Sequence, residues 1–219
     1  MIEIATSILN INNEDSLKTF YNLEAAKTDY FHIDVMDGIF VNDNTTMKML
    51  EYSENLSNII NTPLDIHLMV KDTKKYIDEY LSVNPCFITI HYEAFEDVNH
   101  LKEILSYIKS NGIKVGIAIK PETDIEKIYS LLDYIHLVLV MTVEPGKGGQ
   151  SLIPATIEKI HKLSKYRNEN NLDFYIEADG GIKLDNIGLL KNAGIDIAVC
   201  GTAIINSDDY KQIISKLKE

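Results

Sequence analysis

Four side chains able to bind a metal or move a proton close short apolar runs that lie far apart in the chain. The run Tyr30-Phe31-His32-Ile33-Asp34-Val35-Met36-Asp37-Gly38 carries His32 and Asp34, Leu64-Asp65-Ile66-His67-Leu68-Met69-Val70 carries His67, and Tyr175-Ile176-Glu177-Ala178-Asp179-Gly180-Gly181 carries Asp179. Residues two apart on a strand point the same way, so His32 and Asp34 share a face. Two imidazoles and two carboxylates suit one divalent cation with nitrogen and oxygen ligands. Taken singly, each histidine reads as a satisfied core side chain and each aspartate as a cap or turn residue. Four converging on one rim read as a metal site. Asp34 and Asp179 also form an acid–base pair: placed on opposite sides of a substrate, one removes a proton from a carbon and the other returns one to the opposite face. A cation beside them would polarise the neighbouring carbonyl, stabilise the enediolate, and let two negative charges sit close together. Met36, Met69 and Met141 fall at the same strand ends, where thioethers form either a dry, adaptable cap or plain core filler. Asp37, directly before Gly38, reads instead as a turn-fixing residue.

These four residues are too dispersed for a local loop, so a fold that gathers strand ends must assemble them. Eight strand-like runs occur at about 2–9, 30–35, 64–69, 87–91, 114–119, 136–141, 174–179 and 196–200. Most are continuous in Ile, Leu, Val and aromatics, as expected of strands covered on both faces. The intervals carry helical patterns at 14–27, 46–60, 72–82, 97–111, 124–132, 154–170, 183–192 and 207–218. Asn111-Gly112 and Asn192-Ala193-Gly194 supply left-handed C-cap signals. Eight units of about 27 residues each predict an α/β protein, a (β/α)8 TIM barrel forming a single domain over residues 1–219. A doubly wound open sheet is the structural rival. In the barrel, active-site residues sit at the C-terminal ends of the strands, where His32, Asp34, His67 and Asp179 fall.

Three late segments look fit to hold an anion. Glu144-Pro145-Gly146-Lys147-Gly148-Gly149-Gln150 follows the sixth strand, Gly180-Gly181 the seventh, and Gly201-Thr202-Ala203 the eighth. Glycines let backbone N–H groups approach a phosphate closely, and the last two segments are expected to lead into helix N-termini. A lone Gly-Gly is usually a turn; three such turns after successive barrel strands point to a phosphate site. No P-loop, dinucleotide fingerprint or G-x-S-x-G elbow is present, which counts against NTPase, dehydrogenase and serine-hydrolase chemistry.

The formal charge of −12 argues against a nucleic-acid partner but not against a small phosphorylated substrate. With 45% hydrophobic residues, no Trp and 6 Phe, the core must be built of Ile, Leu and Val. Cys86 and Cys200 read as two buried thiols rather than a disulfide framework. Neither a presequence nor an apolar run of roughly 18 residues is seen, so no membrane association and a cytoplasmic location are expected.

Taken in order, several segments closely resemble the ribulose-phosphate 3-epimerase family: Ser7-Ile8-Leu9, His32 to Gly38 with Phe40-Val41, His67-Leu68-Met69-Val70, His91-Tyr92-Glu93-Ala94, Met141-Thr142-Val143-Glu144-Pro145-Gly146, Gly148-Gly149-Gln150, Asp179-Gly180-Gly181 and Gly201-Thr202-Ala203. The resemblance implies a (β/α)8 barrel and one divalent cation per subunit (zinc, iron, manganese or cobalt) held by His32, Asp34, His67 and Asp179. It implies Asp34 and Asp179 as acid and base, Ser7 at the substrate site, and a homo-oligomer. The implied reaction interconverts D-ribulose 5-phosphate and D-xylulose 5-phosphate in the pentose phosphate pathway. Asn10 stands where the family usually has serine, Lys120-Pro121 replaces Asn-Pro, and Lys147 replaces an apolar residue in the glycine-rich loop. Asp29-Tyr30-Phe31-His32, Pro121-Glu122-Thr123 and Met141-Thr142-Val143 also look like the allulose-6-phosphate 3-epimerase branch, so the substrate is a pentulose or a hexulose phosphate. A non-catalytic phosphosugar-binding protein is the alternative from another class; it would need the phosphate grip but not both carboxylates. Asn10, Lys120 and Lys147 are possible substrate contacts.

Overall fold

In the computed structural model, which describes residues 2–219, all eight expected strands form. They are β1 (Glu3–Ser7), β2 (Tyr30–Met36), β3 (Leu64–Met69), β4 (Phe87–His91), β5 (Lys114–Ile119), β6 (Leu137–Met141), β7 (Tyr175–Asp179) and β8 (Ile197–Cys200). Each runs parallel to the next, and β8 returns to β1 with Ile197 opposite Glu3. The sheet therefore closes on itself and leaves no edge to protect. The fold is the (β/α)8 barrel.

Strand alternation sorts the residues into two cores. On β2, Phe31, Ile33 and Val35 belong to the large apolar layer under the helices, whereas Tyr30 packs with Ala5, Phe87, Leu137, Leu139 and Ile197 inside the barrel. By the same period of two, His32, Asp34 and Met36 share the inner side with Tyr30. Both faces are covered, which is why the strands read as near-continuous apolar runs.

The helices are α1 (Ser16–Ala25), α2 (Thr46–Ile59), α3 (Thr73–Tyr80), α4 (Val98–Ser110), α5 (Ala155–Glu169), α6 (Ile187–Ala193), α7 (Thr202–Ile205) and α8 (Tyr210–Lys218). Asp72, Asp97 and Asp209 cap α3, α4 and α8 by accepting backbone N–H groups from Lys75, Asn99 and Gln212; such caps contribute about 1 kcal/mol each. Gly194 closes α6 in the left-handed region at φ +100°, as its Asn-Ala-Gly sequence signals.

Three expectations change. The segment read as a helix at 124–132 winds as 3₁₀ turns over Ile125–Tyr134. Its buried side chains are Ile125, Ile128, Leu131 and Leu132. α6 starts at Ile187, later than expected. Cys200 is buried but Cys86 only partly so, and both thiols are free. Among the described residues, no helix is long and apolar enough to cross a membrane.

Candidate active site

Strand register brings the metal-type residues together. β2 and β3 pair with Asp34 opposite His67 and His32 opposite Asp65, and β7 presents Asp179 as its last residue. One donor atom from each of His32, Asp34, His67 and Asp179 lies within 4.8 Å of the others. Asp34 Oδ1 is 3.3 Å from both His32 Nε2 and His67 Nδ1, and Asp179 Oδ2 is 3.9 and 3.7 Å from the same nitrogens. The two histidines do not close their strands, as the sequence suggests; they lie inside them, fully buried, and only Asp179 is terminal.

The hydrogen bonds fix which ring nitrogens face the cluster. His32 Nδ1 donates to Asp65 Oδ2 at 2.6 Å, leaving Nε2 directed at Asp34 and without a hydrogen-bond partner. On the other side, Glu93 Oε1 accepts from the Lys120 backbone N–H and the Thr123 hydroxyl. Its Oε2 lies 3.1 Å from His91 Nδ1 and accepts that proton. His91 Nε2 then carries a lone pair and accepts from His67 Nε2–H at 2.9 Å. His67 is left with its Nδ1 lone pair toward Asp34 and Asp179. Two buried imidazoles and two carboxylates thus converge their acceptor atoms, a donor chemistry that fits a divalent cation.

Electrostatics separate the two carboxylates. Burial would raise Asp34, but the charge of His32 beside it takes it well below the usual carboxylate range. Burial, reinforced by the charge of Asp34, pushes Asp179 up to about 7. Burial opposes a charge on His32, yet Asp65 and Asp34 raise it well above an ordinary imidazole. Without a cation, a proton on His32 therefore supplies the positive charge these carboxylates need. Burial keeps His67 below its ordinary value and takes His91 down to about 4, so both are neutral. Deeper in the barrel, burial and then the charge of Asp65 push Glu177 well above the carboxylate range; its Oε1 lies 3.9 Å from His32 Nδ1.

A cavity opens over the donors and is lined by Asp34, Asp179, Ser7 and the buried Met36, Met69 and Met141. The Ser7 hydroxyl donates to Asp34 Oδ2 at 2.8 Å, which leaves Oδ1 to face the imidazoles. The glycine-rich turns line the same cavity through Gly146, Gly148 and Gly149, Gly180 and Gly181, and Gly201 and Thr202. Gly146 adopts φ +106°, and a Cβ there would stand 2.8 Å from Val41 Cβ. Gly181, at φ +67°, backs onto the main chain of Leu152. Neither position accommodates a side chain, so the backbone forms the wall. Gly201 leads directly into α7, whereas Gly180-Gly181 does not lead into a helix: Thr142 Oγ1 donates to Gly180 O, and α6 begins only at Ile187. Asn10 and Lys147 also line the cavity. Lys120 does not; its Nζ lies over the Phe40 ring, 4.7 Å from the centroid. Asp37 fixes its turn, accepting the N–H groups of Ile39 and Phe40 through Oδ1 and that of Lys71 through Oδ2.

The Ribulose-phosphate 3 epimerase family model matches residues 3–205. The chain belongs to this family. It is 36% identical to the ribulose-phosphate 3-epimerase of Escherichia coli (strain K12) over 220 residues, covering 98% of this chain and 94% of that one. It is also 36% identical to the ribulose-phosphate 3-epimerase of Methanocaldococcus jannaschii over 219 residues, covering 100% and 91%. The crystal structure of a 3-hexulose-6-phosphate synthase superposes with a TM-score of 0.71 at 14% identity, covering 99% and 98% of the two chains. That likeness speaks for the barrel alone. As a ribulose-phosphate 3-epimerase family member, the chain is an isomerase-class enzyme acting on a small phosphosugar, and its histidine–aspartate cluster fits the metal assistance of that chemistry.

Four residues with a part in this family site escape the sequence reading. Asp65 and Glu177 each precede an expected ligand by two residues, so the alternation that pairs His32 with Asp34 also places them on the inner face. His91 and Glu93 are visible as a motif, but nothing in their spacing tells that His91 reaches His67.

Proposed function

We propose that this enzyme interconverts D-ribulose 5-phosphate and D-xylulose 5-phosphate, with Asp34 and Asp179 as the acid–base pair and His32, Asp34, His67 and Asp179 as cation ligands. The observation that carries this reading is the convergence of Asp34 and Asp179 with two buried imidazoles at one end of a glycine-walled cavity. Asp34, on one side of the bound ketose, takes the proton from C3, and Asp179, on the other side, returns one to the opposite face. Their roles reverse with reaction direction. A bound divalent cation supplies Lewis-acid polarisation of the ketose oxygens, and zinc, iron, manganese and cobalt all suit the donor set. The three buried methionines keep water from the reacting carbon. Backbone N–H groups around Gly181, Gly201 and Thr202, together with the Gly146–Gly149 turn, hold the phosphate.

A D-hexulose 6-phosphate is the second candidate substrate, because two of the positions that depart from the family pattern, Asn10 and Lys147, both line the cavity. Measuring kcat/KM on D-ribulose 5-phosphate and D-allulose 6-phosphate side by side tests the assignment. A higher value for the pentulose supports it, and a higher value for the hexulose replaces it. Lys147 adds positive charge to that wall, where the phosphate would lie. Lys147→Met is expected to raise KM several-fold with little change in kcat, and to flatten the dependence of KM on salt. An unchanged KM and salt profile would remove Lys147 from the substrate site.

A further inference from the structure

The expected ligand His67 is held from behind by a chain of contacts that runs to the outer face of the barrel. Its Nε2–H meets His91 Nε2 at 2.9 Å, and His91 Nδ1–H meets Glu93 Oε2 at 3.1 Å. Glu93 is held in turn by the turn after β5, through the Lys120 N–H and the Thr123 hydroxyl. The turn itself is clamped from α5: Lys159 Nζ donates to the carbonyls of Lys120, Pro121 and Thr123 at 3.0, 2.6 and 2.6 Å. Packing closes the remaining freedom of the His91 ring, which lies 4.9 Å from Phe40 and stacks on His67 at 5.0 Å between centroids.

We propose that His91 and Glu93 are positioning residues that hold His67 in the tautomer and orientation required to bind a cation through Nδ1, and that the Lys120–Thr123 turn, clamped by Lys159, tunes cation affinity from outside the site. Every contact in the chain is directional. A carboxylate already holding two donors on one oxygen keeps a second acceptor for His91, and each ring directs its single N–H outward and its lone pair inward. Loss of the carboxylate charge weakens the hold on His91 Nδ1–H and frees that ring to present the other tautomer. Two Nε2–H groups would then face each other at 2.9 Å, and the His67 ring would have to turn away. His32 is oriented independently by Asp65, so the effect is confined to one ligand of the four. The proposal also gives Lys120 a part through its backbone, consistent with its side chain lying outside the cavity.

The proposal rests on His67 being a ligand, and the test keeps the two apart. Zinc and cobalt(II) affinities are measured by competition titration on the metal-stripped full chain and on Glu93→Gln, Thr123→Val and Thr123→Ser variants. Cobalt absorption spectra report the ligand geometry. Failure of the parent chain to bind one cation would overturn the ligand assignment itself. Given binding by the parent, Glu93→Gln is expected to weaken it about 10- to 100-fold, as loss of an outer partner does, and to shift the cobalt spectrum. Thr123→Val is expected to act in the same direction and Thr123→Ser to restore the parent affinity, since serine keeps the hydroxyl. Parent-like affinity and spectrum in both Glu93→Gln and Thr123→Val overturn the relay. So does a loss of metal-free thermal stability unaccompanied by weaker binding, which marks a purely structural role. The Thr123 pair keeps the test decisive if Glu93→Gln fails to fold.

Discussion

Replacing either Asp34 or Asp179 by asparagine is expected to lower kcat/KM for epimerisation by at least about 10²–10⁴-fold, the range for loss of a general acid or base. Asparagine keeps the shape of the side chain, so the barrel should stay folded, which circular dichroism and a thermal melt check directly. Each carboxylate is also an expected ligand, so the assays need cation in large excess to separate proton transfer from metal loss. Solvent deuterium provides the sharper readout. If the two aspartates serve opposite faces of one carbon, each variant retains the base for one epimer and lacks the acid that completes inversion. Slow deuterium wash-in without inversion is therefore expected, into one epimer for Asp34→Asn and into the other for Asp179→Asn. Near-native turnover by either folded variant, or wash-in to the same epimer by both, would refute the two-base assignment.

The barrel and its four donors are legible in the sequence because both depend on short periods. Eight apolar runs alternate with amphipathic intervals, and a spacing of two residues is enough to place His32 and Asp34 on one face. What is not legible depends on contacts between elements. In the pairing of β3 with β4, His67 stands opposite Thr89, yet its side chain meets His91, two residues further on. Such a diagonal contact follows from the tilt of barrel strands and from ring orientation, not from spacing. Lys159 illustrates the same limit. Its position on an amphipathic helix announces a solvated lysine, but the side chain is partly buried and its ammonium sits under three carbonyls of a turn some 38 residues earlier. Lys120 reads as a candidate substrate contact because it ends a strand, where barrel chemistry usually sits; its ammonium rests over the Phe40 ring, and its side chain does not line the cavity. The 3₁₀ segment is not legible, since Ile125, Ile128, Tyr129 and Leu132 also fit the α-helical spacing of three and four.

Removing the cation is expected to abolish activity, and one divalent ion per chain is expected to restore it, with an affinity that depends strongly on pH. The direction follows from the protons that a cation must displace. Asp179, raised to about 7 by burial and by Asp34, is increasingly protonated below that pH. His32, raised above its ordinary value by Asp65 and Asp34 despite burial, also carries a proton that binding through Nε2 must release. Asp34 is held ionised and His67 neutral, so neither adds to the competition near neutrality. Each displaced proton weakens binding by about tenfold per pH unit below its pKa. Below about pH 7 both protons compete and affinity should fall by about two decades per unit, whereas above it Asp179 drops out and only the His32 proton still competes. Calorimetric titration of the stripped protein in two buffers of different ionisation enthalpy counts the released protons, and activity measured on the same samples ties binding to turnover. Affinity that stays flat across this range with no proton release would mean that Asp179 and His32 do not bind the cation. Full turnover by protein shown by elemental analysis to be metal-free would remove the cation from the reaction altogether, leaving the two carboxylates to act alone.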